Sequence, residues 1–401
     1  MKRFFPATLA VAAIVALTIG IVAPSEGQRD GRRDGRDRGP RGPIAFFAMA
    51  ALPLTVASPQ DNPQTPAKVA LGRLLFWDPI LSGNQEVACA TCHHPEFGYA
   101  EKLDLSIGVD GAGLGSKRHF ATANPISVVK RNSQTILNTA FNGIDLEGRY
   151  DPGTAPMFWD LRADGLEAQA LLPIVTFEEM RGHAYAEEDA LDNVMARLRM
   201  YPEYEALFRH AFGSEPAITA ENLGRALAAF QRSLLANDSP YDRYLRGDSA
   251  AMTQAQIRGM RQFERVGCIN CHNGPMFSDY KLHVLGIPDS RKLTVSDDGV
   301  DHSYAFRTPS LRNLAYTAPY MHNGIFADLD DVLDFYDDRG RRGNRNPLLA
   351  RDQLDPLLRA LDDVDDNEQA LIEFLNTLND DSFDRTIPAQ VPSGLNPGGR
   401  I

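Results

Sequence analysis

Apolar residues along the chain recur with helical spacing far more often than with the alternation of a strand. Thr253 with Gln256 and Asp366 with Gln369 also have capping-box spacing, which marks two further helix starts. The pattern therefore predicts a mainly helical protein. The predicted helices cover residues 67–77, 165–172 (ended by Pro173), 187–212, 220–235, 253–265, 329–337 and 366–378.

The N-terminal region has the composition of an export signal. Lys2 and Arg3 precede an apolar run over residues 7–24, which predicts a signal peptide, although about 18 apolar residues also approach the length of a membrane anchor. A Gly/Arg/Asp-rich linker follows, so residues 1–61 are assigned to signal peptide and linker. The Pro/Gly-rich residues 386–401 are predicted to form an extended tail.

Composition narrows the class of protein. The 401 residues are 43% hydrophobic and 23% charged, which is typical of a folded chain. A net charge of −12 argues against nucleic-acid binding, because that function requires a basic surface. An acidic surface suits a basic or neutral redox partner, but it also serves solubility alone.

The four cysteines all lie in two Cys-x-x-Cys-His strings, Cys89–His93 and Cys268–His272. Two thiols at this spacing form thioethers to the two vinyl groups of a haem, and the adjacent histidine ligates the iron. A redox-active cysteine pair, a structural zinc site and a disulfide are the alternatives. None of them requires a histidine after each pair, so the sequence predicts two covalently bound c-type haems.

Each haem string has predicted helices on both sides. We therefore expect two c-type cytochrome-like domains, residues 62–247 and 248–385, with their haems facing across an interface. Thioether attachment of haem normally occurs outside the cytoplasm, which agrees with the signal peptide and predicts a periplasmic location.

Between Pro63 and Asp380 the chain carries a series of motifs besides the first haem string: Leu71–Phe76, Asp78-Pro79, Leu81-Ser82-Gly83, Arg131-Asn132-Ser133, Phe158-Trp159-Asp160, Glu167–Pro173, Glu179-Met180, Leu311-Arg312-Asn313 and Thr317–Gly324. Together these motifs resemble bacterial di-haem cytochrome c peroxidases and the related methylamine utilisation protein MauG. The resemblance implies hydrogen peroxide as oxidant, a peroxidatic first haem, an electron-transferring second haem and a calcium ion between them.

The resemblance also implies roles for residues that spacing alone would leave unremarked. Glu179 matches the family's acid/base carboxylate and Gln169 matches its amide neighbour. Trp159 matches an indole between the haems, whereas Trp77 has no such counterpart and is read as a core residue. The implied calcium ligands are Asn132, Thr317 and Pro319, one side-chain oxygen and two backbone carbonyls.

The sixth ligand of the first iron is expected to be absent. His93 is the proximal ligand, and family members often carry a distal histidine directly after a Ser-Ile-Gly-like stretch. Here Val109 follows Ser106-Ile107-Gly108, which implies an iron open to peroxide. His119, in the same long loop, remains the alternative distal ligand.

The second iron is expected to have a tyrosine ligand opposite His272. The peroxidases place a methionine 17 residues after the proline of the calcium loop, and that count from Pro319 reaches Tyr336, as in MauG. Met276 or Met321 would ligate instead if Tyr336 only packs in the core.

The resulting hypothesis is a di-haem peroxidase that reduces hydrogen peroxide to water with electrons from a small redox protein, a cytochrome c or a cupredoxin. The alternative enzyme oxidises a residue on a partner protein, as MauG does. A non-enzymatic electron carrier would have both irons six-coordinate. The sequence leaves the oligomeric state open, a homodimer included.

Overall fold

Helices carry most of the regular structure in this computed structural model, which describes residues 49–401 except 124, 214 and 343–345. The predicted signal peptide lies outside the described residues. Eleven α-helices are described: α1 Pro66–Trp77, α2 Cys89–Cys92, α3 Gly165–Gln169, α4 Leu172–Val175, α5 Ala190–Leu198, α6 Pro202–Phe212, α7 Ala220–Arg232, α8 Pro240–Leu245, α9 Gln254–Val266, α10 Leu329–Arg342 and α11 Glu368–Leu375.

Strands are few and short, and a π-helical turn, Phe177–Arg181, follows α4. Each pair of strands is an isolated antiparallel ladder: β1 Gly111–Ala112 with β2 His119–Phe120, β3 Pro156–Met157 with β4 Ala163–Asp164, and β5 Leu282–His283 with β6 Phe306–Arg307. The 3-10 turns are Pro79–Leu81, Pro95–Phe97, Gly115–Lys117, Thr139–Phe141, Cys268–Asn270, Val300–His302, Arg351–Gln353, Pro356–Ala360, Asp365–Asn367 and Asn376–Leu378. The prediction of a mainly helical protein is confirmed. None of the described helices has the length and apolar character needed to cross a membrane.

Two prolines act differently from the prediction. The single helix expected over 187–212 is two helices, because Tyr201, which precedes Pro202, is extended (φ −108°, ψ 104°). Pro173 does not end a helix. It lies in the first turn of α4, where its missing N–H costs no hydrogen bond.

The predicted helix ends are partly right. Thr253 caps α9 through the expected reciprocal bonds with Gln256. The prediction that Asp366 caps the last helix is wrong, because α11 begins at Glu368 with Asn367 at the cap position, after a 3-10 turn. α10 runs to Arg342, five residues beyond the predicted end at 337.

A close helix crossing recurs before each haem string. A Cβ on Gly72 of α1 would lie 2.0 Å from the Ala226 carbonyl oxygen of α7, and a Cβ on Gly259 of α9 would lie 2.0 Å from that of Ala370 in α11. Only glycine permits this approach of two backbones. The repeat supports an architecture of two similar helical halves. In each half, the helix before the haem string crosses a helix that comes later in the chain.

Segments outside the predicted domain limits also pack on the helices. Leu52 is buried against Phe141, Ile144 and Met276, although it precedes the predicted domain start at residue 62. The tail, residues 386–401, lacks helix and strand but folds back onto the first half, where Val391 and Leu395 join the core around α1 and α7. The boundaries at 61, 247 and 385 stay predictions.

Candidate functional site

The first haem string borders a cavity of about 520 Å³. Helix α2 is a single turn that places Cys89 and Cys92 on the wall of this cavity, followed by His93. The His93 Nδ1 lies 3.1 Å from the Tyr99 carbonyl oxygen, so Nδ1 carries the proton and Nε2 is left as a free donor for a metal. Burial lowers the pKa of His93, which keeps the imidazole neutral.

The second haem string borders a smaller cavity of about 110 Å³. A 3-10 turn, Cys268–Asn270, places Cys268, Cys271 and His272 on its wall. The His272 Nδ1 lies 3.0 Å from the Phe277 carbonyl oxygen, which orients this ring in the same way as His93.

The cysteine pairs fit thioether attachment of haem better than the alternatives. All four thiols are free, and the two pairs line separate cavities, which disagrees with a disulfide and with a shared zinc site. Burial raises the pKa of Cys89 and of Cys268 to about 12, so neither is the thiolate of a redox-active pair. Each haem string thus offers two thiols and one oriented Nε2 at its cavity, the donor set of a c-type haem.

Glu179 lies in the wall of the first cavity, on the π-helical turn Phe177–Arg181. Burial raises the pKa of its carboxyl above the ordinary value of 4.5, and the charge of Arg162 opposes that rise only in part. Burial is the main cause of the raised pKa of Cys89 and of Cys92, and the charge of Glu179 adds to it, so this carboxyl lies within electrostatic range of the haem string.

Gln169, at the end of α3, lines the same cavity as Glu179. Its Oε1 is buried and has no hydrogen-bond partner in the described part of the chain. A buried acceptor without a partner is costly unless a ligand or water satisfies it. The structure therefore brings the predicted amide and carboxyl to one space beside His93.

Trp159 lines both cavities, as the resemblance implied for an indole between two haems. It lies in the turn between β3 and β4 and is buried. Its Nε1 donates to the Asn132 carbonyl oxygen at 3.0 Å, and its own carbonyl accepts from the Arg307 N–H at 2.7 Å. These bonds hold the ring between the two halves. Trp77, by contrast, is a fully buried core residue.

Tyr336 of α10 borders the second cavity together with His272, and it also reaches the wall of the first. Burial raises the pKa of this phenol, so loss of its proton requires a nearby positive charge such as a ferric haem iron. Met321 borders the same two cavities. Met276 lies in the apolar cluster that includes Leu52, and it borders the first cavity but not the second.

His119 lies at the surface on β2, with its Nδ1 3.0 Å from the Lys117 carbonyl oxygen. It is outside the set of described residues that line the first cavity. Val109, in the position where related proteins carry a distal histidine, is buried in the core instead. Neither His119 nor Val109 is among the described residues that line the first cavity, so the open coordination position stays a prediction.

The residues matched to calcium ligands all border the first cavity: Asn132, Thr317 and Pro319. The Asn132 Nδ2 donates to the Leu103 carbonyl at 2.8 Å and to that of Asp104 at 3.3 Å. This orientation turns the Asn132 Oδ1 away from those carbonyls, as a metal ligand requires.

His322 stacks on the ring of Phe306, a residue that sequence reasoning missed. Its imidazole is parallel to the Phe306 ring at 3.7 Å and meets the Trp159 ring edge-on at 6.4 Å. Burial lowers the pKa of His322 to about 4, so the ring is neutral. The stack extends from the second cavity to the indole between the cavities.

Sequence reasoning also missed a charged group on the wall of the second cavity. The His283 Nδ1 lies 2.6 Å from Asp355 and its Nε2 lies 3.2 Å from Asp279. Hydrogen bonds to Asp279, then to the Cys271 thiol and to Asp355, raise the pKa of His283 to about 11. No local pattern could have found this cluster, because Asp355 is 72 residues from His283 in the chain.

The fold and the two cavities define a mainly helical protein with two covalent haem sites of unlike surroundings. Residues 66–250 match the family described as "Di-haem cytochrome c peroxidase". The chain belongs to this family, in which MauG is also found, and is an oxidoreductase of the peroxidase class with two c-type haems.

Curated relatives match over most of their length. "Methylamine utilization protein MauG" of Methylorubrum extorquens is 35% identical over 353 residues, 87% of this chain and 88% of the relative. "Cytochrome-c peroxidase IdrP1" of Pseudomonas sp. (strain SCT) is 35% identical over 371 residues, 82% of this chain and 85% of the relative. "Cytochrome c551 peroxidase" of Pseudomonas aeruginosa is 32% identical over 294 residues, 70% and 75% respectively.

Solved structures share the fold. A "MauG-like protein associated with microbial copper homeostasis" superposes with a TM-score of 0.66 and 28% identity, covering 84% of this chain and 95% of that one. The diheme peroxidase BthA of Burkholderia thailandensis superposes with a TM-score of 0.60 at 23% identity, covering 85% and 92%. The fold of this chain is thus shared with these two proteins.

Proposed function

We propose that the chain reduces hydrogen peroxide to water in the first cavity, with electrons that arrive through the second haem. The observation that carries this proposal is the carboxyl of Glu179, buried in the same cavity that receives the free Nε2 of His93. A haem attached at Cys89 and Cys92 would supply the iron to which peroxide binds.

Glu179 would move the proton that O–O cleavage requires. The carboxylate takes the proton from the peroxide oxygen nearer the iron and gives it to the far oxygen, which then leaves as water. A group that both accepts and donates works best when its pKa is near the working pH, and burial shifts the pKa of Glu179 in that direction.

Gln169 would orient the bound peroxide. Its buried Oε1 has no protein partner among the described residues, so it is available to accept a hydrogen bond from the substrate. A group that only holds the substrate contributes less to the rate than the acid/base group does. Loss of one such hydrogen bond should slow the reaction about tenfold.

The test of the acid/base role is the variant Glu179→Gln, mixed with peroxide in the haem-loaded protein. We expect the rate constant of this reaction to fall by roughly 10²–10⁴ while the ferric spectra of both haems stay near normal. Glu187→Gln is the matched control, because Glu187 is an exposed carboxylate nearby in the chain with a 3.8 Å ion pair to Arg181. An unchanged rate in Glu179→Gln removes the role.

Tyr336 favours a second function, the MauG-like oxidation of a residue on a partner protein. A phenolate ligand stabilises oxidised iron, so a Tyr-ligated second haem would be a poor acceptor from a high-potential donor and a good store of oxidising equivalents. Trp159 and the His322–Phe306 stack would connect this store to the first cavity. Steady-state turnover with a reduced cytochrome c or cupredoxin distinguishes the two, since only the peroxidase sustains it.

The resemblance to this family also leads us to propose a calcium ion held by the Asn132 Oδ1 and the carbonyls of Thr317 and Pro319, with waters completing the shell. Neutral oxygen ligands of this kind suit Ca²⁺. Calorimetric titration of chelator-treated protein with Ca²⁺ should give saturable binding that Asn132→Ala weakens. Binding that is equal in Asn132→Ala and the parent protein would contradict the site.

We further propose that the protein acts in the periplasm after removal of an N-terminal signal, because haem attachment and the apolar run over residues 7–24 agree on export. N-terminal sequencing of the haem-loaded protein tests this, and an intact Met1 in a cytoplasmic fraction would contradict it. Sedimentation of the same sample distinguishes a monomer from a homodimer.

A further inference from the structure

The tail contacts the haem string of the first cavity. Thr91, inside the Cys-x-x-Cys-His string, donates from its Oγ1 to the Gly398 carbonyl at 2.8 Å and accepts from the Ala88 N–H at 2.9 Å. The Gly398 N–H donates to the Trp77 carbonyl at 2.7 Å. The tail therefore holds the short helix α2 at the end of α1.

The next tail residues contact the loop formed by residues 106–118, whose first residue, Ser106, also borders the first cavity. The Arg400 carbonyl accepts from the Gly113 N–H at 2.9 Å and from the Arg118 guanidinium at 3.3 Å. Arg118 is only 4% exposed. Its guanidinium also donates to the carbonyls of Ile107, Gly108 (2.7 Å) and Gly113 (3.1 Å).

The loop in turn lies directly on the turn that carries Glu179. A Cβ on Gly108 would lie 2.8 Å from the Glu179 Cα and 2.2 Å from the Glu178 carbonyl oxygen. The Val109 N–H donates to that carbonyl at 3.3 Å. The position of the Glu179 backbone thus depends on the position of residues 108–109.

From these contacts we propose that Arg118, with tail residues 398–400, is a positioning residue for Glu179. One guanidinium joins the loop at Ile107, Gly108 and Gly113 to the tail, and the tail joins that loop to the haem string through Thr91. Arg118 and tail residues 398–400 thus set the distance between the Glu179 carboxyl and helix α2, which carries Cys89 and Cys92. The inference rests on the proposed role of Glu179.

The guanidinium is suited to this role by its shape. Its planar fork presents five N–H donors in fixed directions, so it can hold several carbonyls at once, whereas a lysine ammonium is a compact point charge on a flexible stem. Lysine would keep the positive charge beside the buried Glu101, whose pKa burial raises to about 7 against the opposing charge of Arg118. Arg118→Lys therefore removes the fork and retains the charge.

The first experiment compares haem-loaded Arg118→Lys with the parent protein. We expect the reaction with peroxide to slow by about ten- to a hundredfold, as for a small displacement of a reacting group, with unchanged ferric spectra. Amide hydrogen exchange should become faster over residues 107–113 and 177–182, which is a readout independent of turnover. Lys117→Gln is the control, because Lys117 is the exposed cation next in the chain. A parent-like rate and exchange in Arg118→Lys would overturn the inference.

The second experiment separates positioning from general stability. In a Glu179→Gln background, Arg118→Lys should cause no further loss of rate, because its effect acts through the carboxyl. Removal of residues 398–401 should slow the reaction as Arg118→Lys does. Losses that multiply in the double variant would refute positioning. A parent-like rate in Glu179→Gln alone would instead refute the proposed function.

Discussion

The two haem cavities share an attachment sequence but differ in what faces the position of the iron. The first, about 520 Å³, brings a buried carboxyl and an unpartnered amide to the space beside His93. The second, about 110 Å³, offers a phenol and the neutral imidazole of His322. The string of five residues thus specifies that a haem is held, and side chains from distant parts of the chain specify what that haem does.

The two attachment segments are also held in different ways. The first is held by neutral hydrogen bonds to the tail, from Thr91 to the Gly398 carbonyl. The second is held by a buried ion pair, in which Arg312 binds both oxygens of Asp242, at 2.8 and 3.0 Å, and donates to the Pro275 carbonyl. The first attachment segment is therefore sensitive to the shape of a loop, and the second attachment segment to the loss of a charge.

The largest effect is expected from making the second site resemble a methionine-ligated haem. Tyr336→Met should raise the potential of the second haem by a few hundred millivolts, within the roughly 0.8 V that axial ligands span. At about 59 mV for each tenfold change this is several orders of magnitude in the reduction equilibrium.

Spectroelectrochemical titration measures this change, and Met321→Leu is the companion variant because Met321 borders the same cavities. A potential that moves in Met321→Leu and stays constant in Tyr336→Met would identify the thioether as the ligand. The contrast between the cavities would then be smaller than we infer.

Loss of the buried ion pair should have the next largest effect. Arg312→Met leaves Asp242 charged and fully buried, so the free energy of unfolding should fall by about 3–5 kcal/mol. The exposed Arg149, paired with Asp145 and Glu147, is the control, for which Arg149→Met should cost no more than about 1 kcal/mol. Denaturant titration that gives equal losses for the two variants would show that the pair contributes little.

The same pair predicts a pH dependence of stability. Burial alone would raise the pKa of Asp242, but the charge and hydrogen bonds of Arg312 lower it overall, below its ordinary value of 3.8. The stabilisation is therefore present above that value and is lost as the pH falls through the lowered pKa of the folded state. Arg312→Met should abolish this acid-dependent loss.

The smallest effect is a pH dependence of the rate with peroxide, which should arise from the first cavity alone. Glu179 must be ionised to accept a proton, and its pKa is raised, so the rate with peroxide should fall as the pH drops below that pKa, by up to about tenfold per pH unit. Stopped-flow measurement in Glu179→Gln should show no such fall. If the acid limb persists in that variant, another group controls it.

How far the sequence could predict the site depended on the range of the interactions. Thr253 and Gln256 were readable as a cap because their bonds span three residues. The break of the long helix before Pro202 was a local signal that the apolar spacing obscured. Gln169, Glu179 and Trp159 needed the resemblance, since nothing in their own neighbourhood distinguishes them from surface or core residues.

The sequence by itself predicts where the haems attach and which histidines ligate them, because thioether formation and proximal ligation need only residues that are neighbours in the chain. It also determined the helical character, through the spacing of apolar positions. Only the tertiary structure decided that Arg118 joins the tail to the loop beside Glu179 and that Asp355 pairs with His283, because Arg400 and Asp355 are far from these partners in the chain. Burial raises the pKa of Glu179 and leaves the Gln169 Oε1 without a hydrogen-bond partner among the described residues. This burial likewise exists only once the helices have packed.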